Sequence, residues 1–371
     1  MIKVLQILTD SNIGGAGRLL INYLHNFDRA VFDMAVVLPK GAELKPLVEA
    51  EGYPVIETEN GRDKSFDMAA VGELRRIIRD FRPDIVHCHS SFSGKLASWL
   101  SRVPGRFYTR HCAFPQPKRL TTFPGKQLNG FINNTLSTHI VAVAKAAMDD
   151  LTVTGVDPDK ITVIINGVEP MPVTSAEERA ALRQSLGIGE TDFVCGISAR
   201  LEEYKGHTYL LKAAAMLKDT HPTMKFLIIG GGTAEDALRA EADALGITEA
   251  VRFTGFVSGV APYYNIMDLN INCSIGTETS SLALSEGMSL GVPAVVSDFG
   301  GNPYMITDGW NGFVVPQKNP EALAEKIRQI ADDPALREKL SAGAKEAYVQ
   351  KFTAAAMTRQ MEDLYRRAVE K

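Results

Sequence analysis

The segment from Gly276 to Gly301 contains the residue pattern that points most directly to chemistry. It carries one carboxylate at Glu278 and a second at Glu286, with seven residues between them, and it closes with two glycines. The hydroxyl residues at positions 279–281 are favoured helix N-cap types, so a helix should begin near Leu282. Glu278 then lies on the preceding loop and Glu286 about one turn inside the helix. Because helix starts attract anions, two carboxylates here suit a ligand with many hydroxyls and a phosphate, such as a sugar nucleotide.

Two basic residues, Arg200 and Lys205, flank a short loop after a predicted strand, and Gly206 opens the next helix. A departing diphosphate needs fixed positive charge, which arginine supplies as a rigid fork and lysine as a point charge. Most arginines and lysines are solvated surface residues, and that alternative remains open here.

Glycine-rich turns follow two other predicted strands. Gly14 and Gly15 open a helix, where backbone N–H groups could approach a phosphate or a sugar. Leu20 takes the last glycine position of the dinucleotide pattern G-x-G-x-x-G, and a simple tight turn explains the segment equally well. Gly231 lies in the second such turn, and the pair Phe256-Val257 is placed to meet a flat base.

The histidine-rich segments do not have metal-site spacing. His87 and His89 share one face of a predicted strand, and Cys88 points to the other. We therefore expect His89 or His111 to line a cleft rather than to bind zinc. The segment 157–159, Asp-Pro-Asp, predicts a turn and not a metal-held diphosphate. No metal and no other cofactor is expected.

The composition excludes several classes of protein. The 371 residues are 45% hydrophobic and 23% charged, with a formal net charge of −4, which is typical of a soluble globular protein and not of a nucleic-acid binder. No apolar run approaches the ~20 residues of a membrane-spanning helix, and the N-terminus lacks a signal-peptide layout. The four scattered cysteines favour reduced thiols and a cytoplasmic location over a disulfide framework.

Two series of alternating strands and helices must position these residues. Continuous apolar strands separated by helices indicate a doubly wound parallel sheet in each half, an α/β fold with two Rossmann-like domains. The turn signal at Asn166–Pro172 places the boundary near residue 170, giving domains 1–170 and 171–352 and a terminal helical segment 353–371. Ligands bind at the carboxyl ends of such strands, so we expect the site in a central cleft that the two domains face.

In their order and spacing, these pieces resemble the retaining glycosyltransferases of family GT4, which have the GT-B fold. The resemblance covers almost the whole chain. The E-x₇-E pair is its most specific element, followed by the segments 291–297 and 308–315. Arg200-Leu201 with Lys205-Gly206 is similar to the family's phosphate clamp, and 166–168 to its interdomain linker.

The resemblance implies roles for individual residues. Glu278 would bind hydroxyls of the donor sugar and Glu286 the ribose, while Arg200 and Lys205 would neutralise the diphosphate. His111 resembles the histidine that family members place near the reacting sugar. Further donor contacts are implied for Gly14, Gly15, Gly231, Phe256, Val257, Thr279, Ser280, Ser281 and Leu282. The final helix, ending near Lys371, would return to the first domain.

The chain departs from the family pattern in two places. After the first carboxylate, most members have Gly-Phe-Gly, whereas this chain has Thr-Ser-Ser at 279–281, which adds side chains where the donor sugar would lie. Tyr304 stands where most members have an acidic residue after the glycine pair. The first departure affects which donor sugar is expected.

The expected function is transfer of a sugar from a nucleotide-sugar, in the first instance a UDP-sugar, to a glycan or lipid-linked acceptor in cell-surface polysaccharide or glycolipid synthesis. Retention through attack on the face that the phosphate leaves is what the family implies. Two alternatives are a UDP-sugar 2-epimerase of the same fold and a sugar-nucleotide-binding protein without turnover. The first would lack the E-x₇-E context, and the second would not need Arg200 and Lys205 together.

Basic and aromatic residues interleave after residue 101, in the half of the chain where acceptors bind in this fold. They could contact an anionic membrane carrying a lipid-linked acceptor, or form a solvated loop beside the acceptor site. The residues are Arg102, Arg106, Phe107, Arg110, Phe114, Lys118, Arg119, Phe123 and Lys126.

Overall fold

In a computed structural model, the chain divides into two compact units, which are described separately for residues 1–113 and 116–370. Unit 1 comprises residues 1–168 and 354–371, and unit 2 comprises residues 169–353. Each unit contains one parallel sheet, of seven strands in unit 1 and six in unit 2. This confirms the predicted fold class of two doubly wound α/β domains.

The sheet of unit 1 has the strand order β3-β2-β1-β4-β5-β6-β7. Its strands are β1 (Ile2–Leu8), β2 (Phe32–Pro39), β3 (Val55–Thr58), β4 (Ile85–His89), β5 (Gly105–Arg110), β6 (His139–Ala142) and β7 (Ile161–Val163). Its helices are α1 (Gly15–Asn26), α2 (Lys45–Ala50), α3 (Met68–Phe81), α4 (Phe92–Leu100), α5 (Lys118–Thr121), α6 (Gly125–Leu136) and α7 (Lys145–Val153). The C-terminal helix of the chain, numbered α16 below, belongs to the same unit.

The sheet of unit 2 has the order β10-β9-β8-β11-β12-β13. Its strands are β8 (Val194–Ser198), β9 (Lys225–Ile229), β10 (Val251–Gly255), β11 (Leu269–Asn272), β12 (Ala294–Ser297) and β13 (Gly312–Val315). Its helices are α8 (Ala176–Ser185), α9 (His207–Leu217), α10 (Glu235–Ala244), α11 (Ala261–Tyr264), α12 (Leu282–Ser289), α13 (Asn302–Met305), α14 (Pro320–Asp332) and α15 (Pro334–Ala347). A π-helical turn, Tyr348–Phe352, ends the unit.

Alternate residues of the strands pack into layers on the two faces of each sheet. In β1, Val4 and Leu8 pack on one face, and Leu5 and Ile7 on the other. This follows from the period of two in a strand and explains why the strands read as continuous apolar runs.

Helix α16 (Ala354–Val369) completes the core of unit 1. Its buried residues Met357, Met361 and Tyr365 recur every four positions and join the layer that contains Val4. This spacing puts them on one helix face, as expected for an amphipathic helix that covers a sheet. Lys371, where the sequence placed the helix end, lies outside the described residues.

Helices that the sequence predicted have clear local start and stop signals. In α3, the Asp67 carboxylate accepts hydrogen bonds from the backbone N–H groups of Ala69 and Ala70, and Arg82 ends the helix in the left-handed conformation. The strand β3 and the helices α2, α5, α6, α7, α11 and α13 were not predicted. No helix in the described parts of the chain is long and apolar enough to cross a membrane.

Candidate active site

Glu278 is the centre of a buried polar cluster in unit 2. Its Oε2 atom accepts hydrogen bonds from Lys205 Nζ at 2.9 Å, Asn272 Nδ2 at 3.0 Å and Ser274 Oγ at 2.8 Å. The side chain of Glu278 is only 8% exposed. Three donors on one oxygen fix the direction of the carboxylate. The described residues donate no hydrogen bond to Oε1, so that oxygen is available to a ligand hydroxyl.

The topology of the sheet brings Lys205 to Glu278. Strands β8 and β11 are parallel neighbours, so the loops at their carboxyl ends lie side by side. The backbone N–H of Ile275 donates to Tyr204 O at 2.8 Å, which ties these two loops together. Gly206 has φ +72°, and a Cβ there would lie 2.1 Å from Cys273 O. Glycine is therefore required where the Lys205 loop turns into α9.

Further polar residues form hydrogen bonds with the residues that hold Glu278. Asn272 Oδ1 accepts from the backbone N–H of Ser274 at 3.1 Å and from Asn302 Nδ2 at 3.3 Å. Asn302 Nδ2 also reaches Ser297 Oγ at 3.3 Å, and Ser297 Oγ donates to Ser274 O at 2.7 Å. These residues were not predicted. The signal that could have revealed them is polar side chains in the otherwise apolar strands β11 and β12.

Helix α12 begins where the sequence predicted. Ser281 is the N-cap, and its Oγ accepts from the backbone N–H of Leu284. Glu286 is the fifth residue of this helix, about one turn inside, and is buried. Ser280 is also buried, whereas Thr279 and Leu282 are partly exposed.

The glycine pair packs directly on the loop that carries Glu278. Gly300 has φ +59°, and a Cβ there would lie 2.2 Å from Glu278 O. A Cβ on Gly301 would lie 1.3 Å from Thr279 O. The backbone of the carboxylate loop therefore approaches these two residues as closely as only glycine permits.

The loops after β8, β9 and β10 lie side by side and bring three more predicted residues together. Leu201 N donates to Gly231 O at 3.0 Å, and Gly230 N donates to Gly255 O at 3.0 Å. A Cβ on Gly231 would lie 3.7 Å from the Phe256 Cβ. Phe256 is 78% exposed, so its ring is open to a planar ligand. Val257 is partly buried against the core.

Arg200 is exposed on the loop after β8, next to Leu201. Its guanidinium makes no hydrogen bond or ion pair with the described residues. This differs from Lys205, which is held by Glu278. The loop therefore presents one fixed and one unpaired positive charge.

The remaining predicted residues, Gly14, Gly15 and His111, belong to unit 1. Gly14 is the N-cap of α1 in an extended conformation, and a Cβ on Gly15 would meet no atom within 4 Å. The turn thus presents open backbone at the start of a helix, and its contact with a ligand stays a prediction.

His111, which is half-buried, belongs to a chain of hydrogen-bonded side chains whose other members are buried. Its Nε2 lies 2.9 Å from His89 Nδ1, and His89 Nε2 lies 2.9 Å from Gln6 Oε1. Gln6 Nε2 donates to Tyr365 Oη at 3.1 Å, and Tyr365 Oη lies 2.5 Å from His87 Nδ1. The chain therefore links the C-terminal helix to the end of β5. Tyr365 and Gln6 gave no sequence signal because both sit in apolar patterns.

Burial keeps these imidazoles neutral. Loss of hydration lowers the pKa of His87 to about 3 and that of His111 to about 4, and it lowers the pKa of His89 well below 6.5. His87 and His89 stack with ring centroids 4.5 Å apart, so they share a strand face as predicted, while Cys88 packs on the other face. Among the described residues, no group of three or more His, Cys, Asp or Glu side chains could hold a metal ion.

The predicted basic and aromatic patch is not one surface, and this interpretation was wrong for two of its members. Phe107 is buried and stacks on His139, and the Arg106 guanidinium donates to backbone carbonyls at Val103 and Leu136. Strand β5 separates Arg102, which precedes it, from the residues that follow it. Phe114 lies outside the described residues.

Comparison with known proteins identifies the family. The model of the glycosyl transferases group 1 matches residues 178–347, and that of glycosyltransferase family 4 matches residues 13–171. The chain is 29% identical to the putative glycosyltransferase EpsD of Bacillus subtilis over 310 residues, covering 81% of this chain and 80% of EpsD. It is 27% identical to the lipopolysaccharide core biosynthesis glycosyltransferase LpsD of Rhizobium meliloti, covering 96% of each.

A solved structure with the same fold is that of HepE from Anabaena in complex with UDP-glucose. The TM-score is 0.83 at 21% identity, with 98% of this chain and 99% of HepE covered. Two parallel-sheet domains, an E-x₇-E pair on the loop and helix after β11, and two family models that together span most of the sequence lead to one conclusion. This chain belongs to the GT4-type glycosyltransferases and has the GT-B fold.

Proposed function

We propose that this glycosyltransferase moves a sugar from a UDP-sugar to a glycan or lipid-linked acceptor, with retention of the anomeric configuration, in cell-surface polysaccharide or glycolipid synthesis. The observation that carries the proposal is the Glu278 carboxylate, with one oxygen held by three donors and the other available to a sugar hydroxyl. HepE binds UDP-glucose, and LpsD is a lipopolysaccharide core enzyme, which supports this donor and acceptor class.

In the proposed mechanism, cleavage of the sugar–phosphate bond develops negative charge on the leaving diphosphate. Lys205 stabilises that charge from a position fixed by Glu278, and Arg200 adds a second positive charge from the loop after β8. The acceptor hydroxyl attacks on the face that the phosphate leaves, and the leaving phosphate takes the acceptor proton. Glu278 orients the donor sugar, Glu286 binds the ribose, and His111 lies near the reacting sugar.

Further donor contacts belong to the loops described above. Phe256 and the backbone at Val257 hold the base, and Gly14 and Gly15 contact the donor from unit 1. Thr279, Ser280 and Ser281 adjoin the donor sugar. Because Thr-Ser-Ser adds three hydroxyls where most family members have Gly-Phe-Gly, these residues select among sugars.

A thermal-shift screen of nucleotide sugars followed by an assay for released UDP tests the proposal. One UDP-sugar should raise Tm most, and UDP should accumulate only when an acceptor extract is added. Conversion of UDP-GlcNAc alone to its 2-epimer would establish the epimerase instead. Binding without turnover in any acceptor extract would establish a binding protein.

We also propose that the transfer needs no metal ion, because Arg200 and Lys205 supply the positive charge that a metal would otherwise provide. EDTA should leave the rate of UDP release unchanged. Complete loss on chelation, with recovery when Mg²⁺ or Mn²⁺ is added, would contradict this assignment.

We propose a cytoplasmic location with peripheral contact to anionic membrane through the segment 118–131. Phe123, Leu128 and Phe131 are 80%, 61% and 69% exposed, and Lys118 and Arg119 are exposed beside them. The described cysteines are all free, which fits a reducing compartment. Flotation with phosphatidylglycerol vesicles should fall in the double variant Phe123→Ser, Phe131→Ser. Equal flotation of variant and wild type would contradict the contact.

A further inference from the structure

An open cavity of about 590 Å³ in unit 1 is lined by five arginines. They are Arg75, Arg76, Arg79, Arg82 and Arg102, and all are exposed. The cavity is bounded by the C-terminal part of α3, the C-terminal end of α4 and the short connections into β4 and β5. Pro83, Val103 and Pro104 form part of its wall.

Four of the five guanidiniums have no partner within residues 1–113 and 116–370. Arg79 Nε pairs with Asp80 at 3.0 Å. The side chains of Arg75, Arg76, Arg82 and Arg102 make no hydrogen bond or ion pair with the described protein. On a chain whose formal net charge is −4, such a local excess of positive charge is not a reflection of the overall composition.

Helix geometry and two special backbone positions make the arginines converge. Arg75, Arg79 and Arg82 follow one another at spacings of four and three, which places them along one face of α3. Arg82 (φ +53°) and Arg102 (φ +56°) both have left-handed backbone conformations at the helix ends. Helices α3 and α4 pack against each other, so their C-terminal ends bring both turns to the same cavity.

Compensation of helix dipoles does not account for this cluster. The helix dipole favours a cation only within about the last turn of a helix. Arg79 lies in the last turn of α3, whereas Arg75 and Arg76 lie farther back. Mutual repulsion among unpaired guanidiniums opposes the cluster unless an anion occupies the space between them.

The cavity lies away from the residues placed in the reaction. It precedes β4 and β5, whereas His111 follows β5 and Gly14 follows β1. Because the strands of this sheet are parallel, the cavity and these residues lie at opposite edges. A ligand in the cavity therefore need not compete with binding at the carboxyl edge of this sheet.

We propose that this cavity binds a ligand carrying two or more phosphate groups, at a site separate from the donor site. Guanidinium forks bind phosphate in a bidentate manner, and four unpaired forks match several phosphates better than one. The volume is within the range of small-ligand sites, and a concave cavity suits a compact group better than a flat surface does. The phosphates belong either to a soluble oligophosphate or to a lipid headgroup.

Calorimetric titration with inorganic tripolyphosphate at about 0.15 M salt tests the proposal under screened conditions. We expect saturable binding to the full chain that is retained in the donor-site variant Arg200→Ala. The variant with Arg75→Gln, Arg76→Gln, Arg82→Asn and Arg102→Asn should bind at least about tenfold more weakly. Glutamine suits the helix, and asparagine tolerates the left-handed positions.

A charge-matched control removes four basic residues elsewhere, through Lys318→Asn, Lys339→Gln, Lys351→Gln and Arg359→Gln. It should bind tripolyphosphate as the wild type does. No saturable binding by the wild type, or equal weakening in the two quadruple variants, would overturn the proposal. So would binding that disappears in Arg200→Ala and persists in the cavity variant, because the ligand would then occupy the donor site.

Vesicles identify the source of the phosphates. Recruitment to phosphatidylcholine vesicles containing cardiolipin, which carries two phosphates, supports a lipid headgroup if tripolyphosphate and the cavity variant both abolish it. Tripolyphosphate binding without such recruitment supports a soluble ligand. A cavity variant that still releases UDP at the wild-type rate with a soluble acceptor separates this site from the transfer reaction.

Discussion

Lys205 Nζ lies 2.9 Å from Glu278 Oε2, although 73 positions separate the two residues in the chain. The pair is largely buried, with Lys205 19% and Glu278 8% exposed. The ammonium group therefore has two tasks in the proposed mechanism. It orients the carboxylate that binds the sugar, and it supplies positive charge to the leaving diphosphate.

Replacement of Lys205 should reduce catalysis severely. We expect Lys205→Met to lower kcat by about 100-fold or more, as removal of one preorganised donor to a developing charge does in other enzymes. Lys212→Met, on the exposed face of the following helix, is the control and should leave kcat unchanged. Initial rates of UDP release measure both. Near-normal turnover of Lys205→Met would remove this residue from the mechanism.

Arg200→Ala should lower the rate of catalysis without lowering the stability of the protein. Because the Arg200 side chain is exposed and has no partner among the described residues, its loss should leave Tm within about 1 °C of the wild type. We expect kcat to fall by about 100-fold or more, since a positive charge facing the diphosphate is lost. Thermal unfolding measures the Tm of each variant, and steady-state kinetics on the same preparation measure its kcat. A large fall in Tm would show a structural role instead.

Asn272→Asp should weaken donor binding with almost no change in side-chain shape. The new carboxylate would replace an amide that donates to Glu278 Oε2 at 3.0 Å, so a hydrogen bond becomes a like-charge contact. We expect a stability loss of about 1–3 kcal/mol and a raised KM for the donor. Asn319→Asp keeps the N-cap of α14 and should change neither quantity. Urea unfolding and donor-dependent kinetics distinguish the two variants, and an unchanged KM in Asn272→Asp would contradict the expected role.

Gly300→Ala should damage the site more than Gly309→Ala. Both glycines have positive φ, +59° and +72°, so alanine costs roughly 1–2 kcal/mol at either position. Only at Gly300 would the added Cβ meet backbone, 2.2 Å from Glu278 O, whereas at Gly309 it meets nothing within 4 Å. The resulting shift of the Glu278 loop should lower kcat/KM by about 100-fold. Equal activity in the two variants would show that the loop adapts without effect.

Unit 1 should lose stability in mild acid. Above about pH 6.5, His87, His89 and His111 are neutral in both the folded and the unfolded chain, so their contribution is complete. Below that pH the unfolded chain takes up protons and the folded chain does not. The free energy of unfolding should then fall by about 1.4 kcal/mol per pH unit for each histidine. The fall continues until the folded pKa values are reached, about 4 for His111 and about 3 for His87.

The two tryptophans allow this measurement on unit 1 alone. Trp99 lies in unit 1 and Trp310 in unit 2, so Trp310→Phe leaves a fluorescence reporter of unit 1. His111→Gln should reduce the slope by roughly one third of the contribution of the three rings. A pH-independent free energy of unfolding between pH 6.5 and pH 4 would contradict the neutral state of the rings.

Local rules predicted the elements whose signals lie within a few residues. The N-cap at Ser281 and the one-turn offset of Glu286 follow from helix-start preferences alone. The sheet architecture follows from the alternation of apolar strands and helices. The edge strand β3 (Val55–Thr58) ends in Glu57 and Thr58, so it lacks the continuous apolar run by which the other strands were predicted.

Contacts between distant parts of the chain could not be predicted. Gln6 and Tyr365 are 359 positions apart and meet only after the sheet and α16 have packed. Phe107 and Arg106 read as surface residues because of their basic neighbours, but β5 lies inside the sheet and buries Phe107. Burial of a central strand is decided by the strands and helices around it, and a single sequence does not contain that information.

The position of α16 in the sequence determines when unit 1 can complete its core during translation. The ribosome makes residues 1–168, then all of unit 2, and only then the helix that brings Met361 and Tyr365 to the core of unit 1. During translation, unit 2 can close its core while unit 1 still exposes the apolar face that α16 will cover. The first half of the nascent chain is therefore the part that needs protection from aggregation, and α16, which emerges after unit 2, relieves that need.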